Sequence, residues 1–158
     1  MAKFASETDV PAEKSRAEIE RTLTRYGATA FMYGWQGDKA VIGFKAHDRL
    51  LRFVLPMPDR KAREFTHTRH AETWNQQPLS QDASEKRYEQ GVRQRWRALA
   101  LVIKAKLEAV DAGIVEFESE FLAHVVLPNG QTMAEHARPL IKGAYESGEM
   151  PLLLPHLQ

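Results

Sequence analysis

Cysteine is absent from the chain. That excludes a disulfide framework, a thiolate zinc site and a cysteine nucleophile, and it agrees with a reducing compartment. Long apolar runs are lacking as well. The densest, Ala98 to Ile103, is far shorter than the roughly 20 residues that cross a membrane. Met1 to Glu7 has no apolar core of signal-peptide length, so the expectation is a cytoplasmic protein with no membrane partner. There is no glycine-rich phosphate loop, no nucleophile elbow and no zinc-protease helix motif. Ser15 and Ser119 have no base beside them in sequence. No catalytic residue and no cofactor is therefore assigned from sequence, and an enzyme is the less favoured class.

What is present is a chain of 158 residues, 43% hydrophobic, which suits one globular domain with a core of its own. The net charge of +1 hides an asymmetry. Residues 1–58 carry +2, residues 59–106 carry +5 and residues 107–158 carry −6. A basic middle and an acidic C-terminal third mark either a nucleic-acid surface or two parts that pair with each other.

One stretch organises the rest. Tyr88, Val92, Trp96, Leu99, Ile103, Leu107 and Val110 recur at steps of three and four, the spacing of a single apolar helix face. The pattern predicts one long helix from Ser84, as N-cap, to Ala112, with Gly113 as the left-handed residue after it and Gly91 as its weak point. Ala98, Leu101, Val102 and Ala105 form a second apolar stripe beside the first. A small sheet and a short helix do not cover both, so a homodimer is expected.

The remaining elements are shorter. Residues 1–8 read as a loose terminus. Asp9 and Pro11 open a helix whose inward stripe is Ile19, Leu23 and Tyr26, with Gly27 closing it. From Ala28 the period becomes two. Phe31, Tyr33 and Trp35 alternate with small residues, Ala40 to Phe44 makes a second strand and Arg49 to Leu55 a third, with turns at Gln36–Lys39 and His47–Asp48. Gly43 marks a bulge or a close approach. Residues 59–83 read as a long irregular connection. Ile114, Phe117, Phe121 and Val125 predict a further helix, and Thr132 to Glu135 has the form of a capping box opening another. Leu140, Ile141, Ala144 and Tyr145 are its expected inner side, Pro139 the point where it kinks or restarts, and Gly148 its end. Met150 to Pro155 is an apolar tail expected to dock in extended form. The fold class is α+β: an N-terminal helix, a three-stranded antiparallel meander, a long central helix packed on the sheet, and C-terminal helices, all in a single domain 1–158.

Several segments together resemble a known family. They are Arg93 to Leu99, Ile103 to Val110, Glu120 to Leu122, Leu127 to Thr132 and Met150–Pro151 with Leu154–Pro155. Glu13 to Ser15, Arg25 to Ala28, Val41 to Phe44 and Arg52–Phe53 are similar too. The chain, outside the 59–83 connection, resembles small proteins encoded by tailed phages and prophages. The resemblance implies a phage-type context in a host cytoplasm, with DNA or a DNA-processing protein as partner. It carries over no activity and no catalytic residue.

Two constellations bear on chemistry. Arg60, Lys61, Arg63, Arg69, Lys86, Arg87, Arg93, Arg95 and Arg97, with Trp74, form a basic-aromatic set suited to neutralising phosphates and stacking an unpaired base. The competing reading pairs Arg93, Arg97, Lys104 and Lys106 with Glu116, Glu118 and Glu120. Glu116, Glu120 and His124 would share a helix face and are weak metal candidates; an exposed acidic face is the favoured reading, and no metal is assigned. The functional expectation is a non-enzymatic phage-type accessory protein contacting nucleic acid. The alternatives are a module that self-associates through the long helix and a metal-dependent hydrolase using the acidic cluster.

Overall fold

The computed structural model describes residues 5–68 and 77–151. It shows the α+β architecture: α1 (Ala12–Arg25), β1 (Ala30–Gln36), β2 (Lys39–Ala46), β3 (Arg49–Pro56), α2 (Arg63–Thr66), α3 (Gln81–Asp111), α4 (Phe117–Phe121), a 3-10 turn (Leu122–His124) and α5 (Met133–Ser147). The strands form an antiparallel meander in the order β1-β2-β3. Gly37 takes φ +61° in the first two-residue turn. In the second, His47 and Asp48 both have positive φ, the geometry a tight hairpin demands and one that non-glycine residues adopt at a cost. The His47 ring stacks on Phe117 with centroids 4.1 Å apart, which holds that turn in place.

The core lies between one sheet face and two helices. Ile42, Phe44, Leu51, Phe53 and Leu55 alternate inward from the strands; Ile19 and Leu23 of α1 and Trp96, Ala100, Ile103 and Leu107 of α3 meet them. Gln90 donates to the Ser6 and Thr8 carbonyls, Arg97 pairs with Glu18, and Glu108 lies near enough to the Tyr26 hydroxyl to raise its pKa. These contacts run in the same order along both helices, so α1 and α3 lie side by side in one direction. Leu99 is half-buried rather than buried. Gly43 marks a close approach: a Cβ there would lie 2.7 Å from Met32 Cγ.

Several sequence expectations are corrected. The long helix starts at Gln81, and its cap is Ser80, whose hydroxyl accepts the Ala83 N–H; Ser84 is already inside it. α1 starts at Ala12 after Pro11, and Asp9 makes no capping bond. The connection after β3 is not wholly irregular. It contains α2, and two stretches within it are joined by the Thr68 N–H to Gln77 C=O and Leu79 N–H to Thr66 C=O bonds. The helix expected from Ile114 to Val125 is only α4 plus the 3-10 turn. Phe117 and Phe121 are buried, Ile114 is exposed and Val125 is extended, pairing with Leu51.

α5 has its capping box as expected: the Thr132 hydroxyl accepts the Glu135 N–H, and Glu135 accepts the Thr132 N–H at 2.7 Å. It runs through Pro139 and ends at Gly148, φ +74°. Its expected inner side is not buried; Ile141 is 49% and Tyr145 89% exposed. The tail from Leu152 lies outside the described residues. Among the described residues no helix is long and apolar enough to cross a membrane.

Candidate nucleic-acid interface

α3 is longer than the sheet it covers. Its buried residues all fall between Trp96 and Leu107, so the first four turns project beyond the core. α2 packs on that projection. The Phe65 ring is buried against the helix at Gly91 and meets Tyr88 edge-on, with centroids 5.8 Å apart. Between α2, the segment around Pro58, the N-terminal segment at Ser6 and this part of α3 lies a cleft of about 230 Å³. Arg87, Gln90, Gln94 and Arg95 line one wall, with Phe65 and Glu64 opposite.

Eight of the ten residues of the basic-aromatic set are described; Arg69 and Trp74 lie outside the described residues. The eight do not behave alike. Arg60 pairs with Glu85 and lies over the Tyr88 ring, 4.0 Å from its centroid. The hydrogen bond to Glu85 raises the Arg60 pKa further. Arg97 pairs with Glu18 across the α1–α3 seam. Arg93 donates to Gln90 Oε1, and so steadies the amide that holds the Ser6 and Thr8 carbonyls. Arg87 donates to the His67 carbonyl at 2.6 Å. Lys61, Arg63, Lys86 and Arg95 have no side-chain ion pair among the described residues. Structure thus sorts the set into four cations committed to the fold and four open to a partner.

The acidic segment does not hold Arg93 or Arg95. Glu120 pairs with Lys106, and Glu118 pairs with Arg49 at 3.1 Å on the far hairpin. Lys106 is thirteen residues along the helix from Arg93, about 20 Å at the helical rise. Of the four cations in the expected pairing, Lys106 alone forms it among the described residues.

The weak metal candidates do not assemble into a shared helix face. Glu116 is the extended residue before α4, while His124 closes the 3-10 turn and stacks on Phe53 with ring centroids 3.8 Å apart. Burial lowers the His124 pKa, and the nearby Lys106 ammonium lowers it further. Among the described residues no three His, Asp or Glu side chains gather closely enough to hold a metal ion.

Sequence reading missed Phe65, Gln90 and Gln94. The available signal was Gly91, a glycine inside an otherwise strong helix, with one isolated phenylalanine in the preceding polar connection. Comparison with known protein families, with curated proteins and with solved structures finds no match to this chain.

Proposed function

We propose that the protein is a non-enzymatic accessory protein of a phage-type context that contacts nucleic acid through the α2–α3 end. The observation that carries this reading is Arg95: a guanidinium without an acidic partner among the described residues, beside Arg87 in the α2–α3 cleft. Lys61, Arg63 and Lys86 surround the same end, and exposed cations of this kind neutralise phosphates. The likeness to tailed-phage and prophage proteins makes DNA the favoured nucleic acid. Contacts to phosphates alone carry no sequence preference.

Titration of labelled single-stranded and duplex DNA tests the reading. Binding is expected at about 50 mM salt and weakens steeply toward about 200 mM, with a log–log slope near −0.9 per phosphate contact on duplex. The double variant R95A/K86A lowers both affinity and slope while its thermal melt stays at the parent value, because neither side chain bears an ion pair among the described residues. No retention of DNA at the lower salt refutes the proposal; so does a double variant that binds as the parent does.

A further inference from the structure

β1 is an edge strand of the sheet, paired among the described residues with β2 alone. Its seven residues, Ala-Phe-Met-Tyr-Gly-Trp-Gln, include no charge and no proline. Met32 is 60%, Tyr33 42% and Trp35 64% exposed. Gln36 and Lys39 close a two-residue hairpin, so by alternation Phe31, Tyr33 and Trp35 direct their N–H and C=O groups away from β2. Among the described residues no backbone bond outside the β1–β2 ladder uses them. The opposite edge of the sheet is different: Val125 pairs with Leu51, and the Val126 N–H donates to the Leu50 carbonyl at 2.8 Å.

We propose that β1 pairs antiparallel with β1 of a second copy about a two-fold axis at Tyr33, joining two meanders into one six-stranded sheet. Full overlap of the strand sets this register. It places Phe31 opposite Trp35 of the partner subunit, and Met32 opposite Gly34 of the partner subunit, as Met32 already lies against Gly43 within its own sheet. Each open donor then meets an acceptor.

The charges above the strand agree with the two-fold. Arg16 and Glu20 of α1 both act on Tyr33, and the Tyr33 hydroxyl donates to the Arg16 carbonyl. Arg16, which pairs with Glu13 at 3.4 Å in its own helix, and Glu20 stand one helical turn apart beside Tyr33, so a two-fold at Tyr33 sets charges of both signs on each side of the seam rather than one sign against itself. Because the other edge is occupied at Leu50 and Leu51, extension stops at two copies. This interface differs from the apolar α3 stripe, where Val102 is 44% exposed, and it does not depend on the nucleic-acid reading.

The test uses the absence of cysteine. A Cβ at Gly34 meets nothing within 4 Å, so G34K and G34C leave the protomer intact. Light scattering of the parent protein is expected to give twice the monomer mass, and G34K, which sets two lysines beside the axis, to give the monomer mass with unchanged circular dichroism. A short bis-maleimide reagent links G34C into dimers and leaves V102C unlinked. A parent that is monomeric over a wide concentration range, a G34K variant that remains dimeric, or linkage at V102C in place of G34C overturns the proposal.

Discussion

Replacing Gly91 by Ala sets helix propensity against packing at one atom. Propensity favours the alanine by about 1 kcal/mol in a helix interior. The structure opposes it: a Cβ at Gly91 would lie 2.9 Å from Phe65 Cε1, 3.0 Å from Phe65 Cζ and 3.4 Å from Pro58 Cγ. Relieving that crowding moves the Phe65 ring off Tyr88 or lifts α2 from α3, and overpacking of this kind costs about 1–3 kcal/mol. The net expectation for G91A is a loss of roughly 0–2 kcal/mol. The decisive measurement is a double-mutant cycle by urea denaturation. In an F65A background the obstruction is gone, and G91A should then stabilise by up to about 1 kcal/mol. The coupling between the two sites is therefore unfavourable and of the order of the overpacking term. If G91A stabilises the parent as much as it stabilises F65A, Phe65 does not pack on Gly91, and the α2–α3 cleft loses its foundation.

Two further outcomes follow from the core and from the half-buried imidazole stacked on it. I103A removes a side chain with no exposed surface at the centre of the α3 contact, and chemical denaturation should show a loss of about 2–5 kcal/mol. His124 has a folded-state pKa below its ordinary 6.5, because burial and Lys106 disfavour the charged ring. The unfolded chain therefore binds the proton first as pH falls, so stability is full above 6.5 and declines below it toward the folded pKa. H124F keeps a ring against Phe53 and removes that decline; a parent whose urea midpoint stays flat between about pH 7.5 and 5 contradicts the shift.

Much of the fold was legible in local pattern, because its signals are short-range. The two-residue period from Phe31 to Leu55, the turn chemistry at Gly37 and Asp48, and the three-four spacing from Trp96 to Leu107 specify the meander and the long helix. The Thr132–Glu135 box and the left-handed Gly113 and Gly148 set helix ends by bonds made within one turn. Where a helix takes its cap is not set by residue type alone, since Ser80 and Ser84 both offer the same hydroxyl. The Ile114–Val125 spacing also failed as a helix. It shows that Phe117 and Phe121 face the core, and Val125 is drawn into extended form by its bridge to Leu51.

Only the tertiary structure decided which cations are free. Arg60, Arg87, Arg93 and Arg97 look like Lys61, Arg63, Lys86 and Arg95 in sequence. Their partners Glu85, the His67 carbonyl, Gln90 and Glu18 lie up to 79 positions away or on the next turn of the same helix. Charge balance along the chain fixes how many cations a segment carries, whereas an ion pair depends on distances that the packing of α1 and α2 on α3 creates. The same holds for apolar surface. Periodicity gives α5 an inner stripe and β1 an aromatic face, but tertiary packing decides their burial: Ile141, Tyr145 and Trp35 stay largely exposed, while Phe31 packs on the core and Tyr33 meets Arg16 and Trp96.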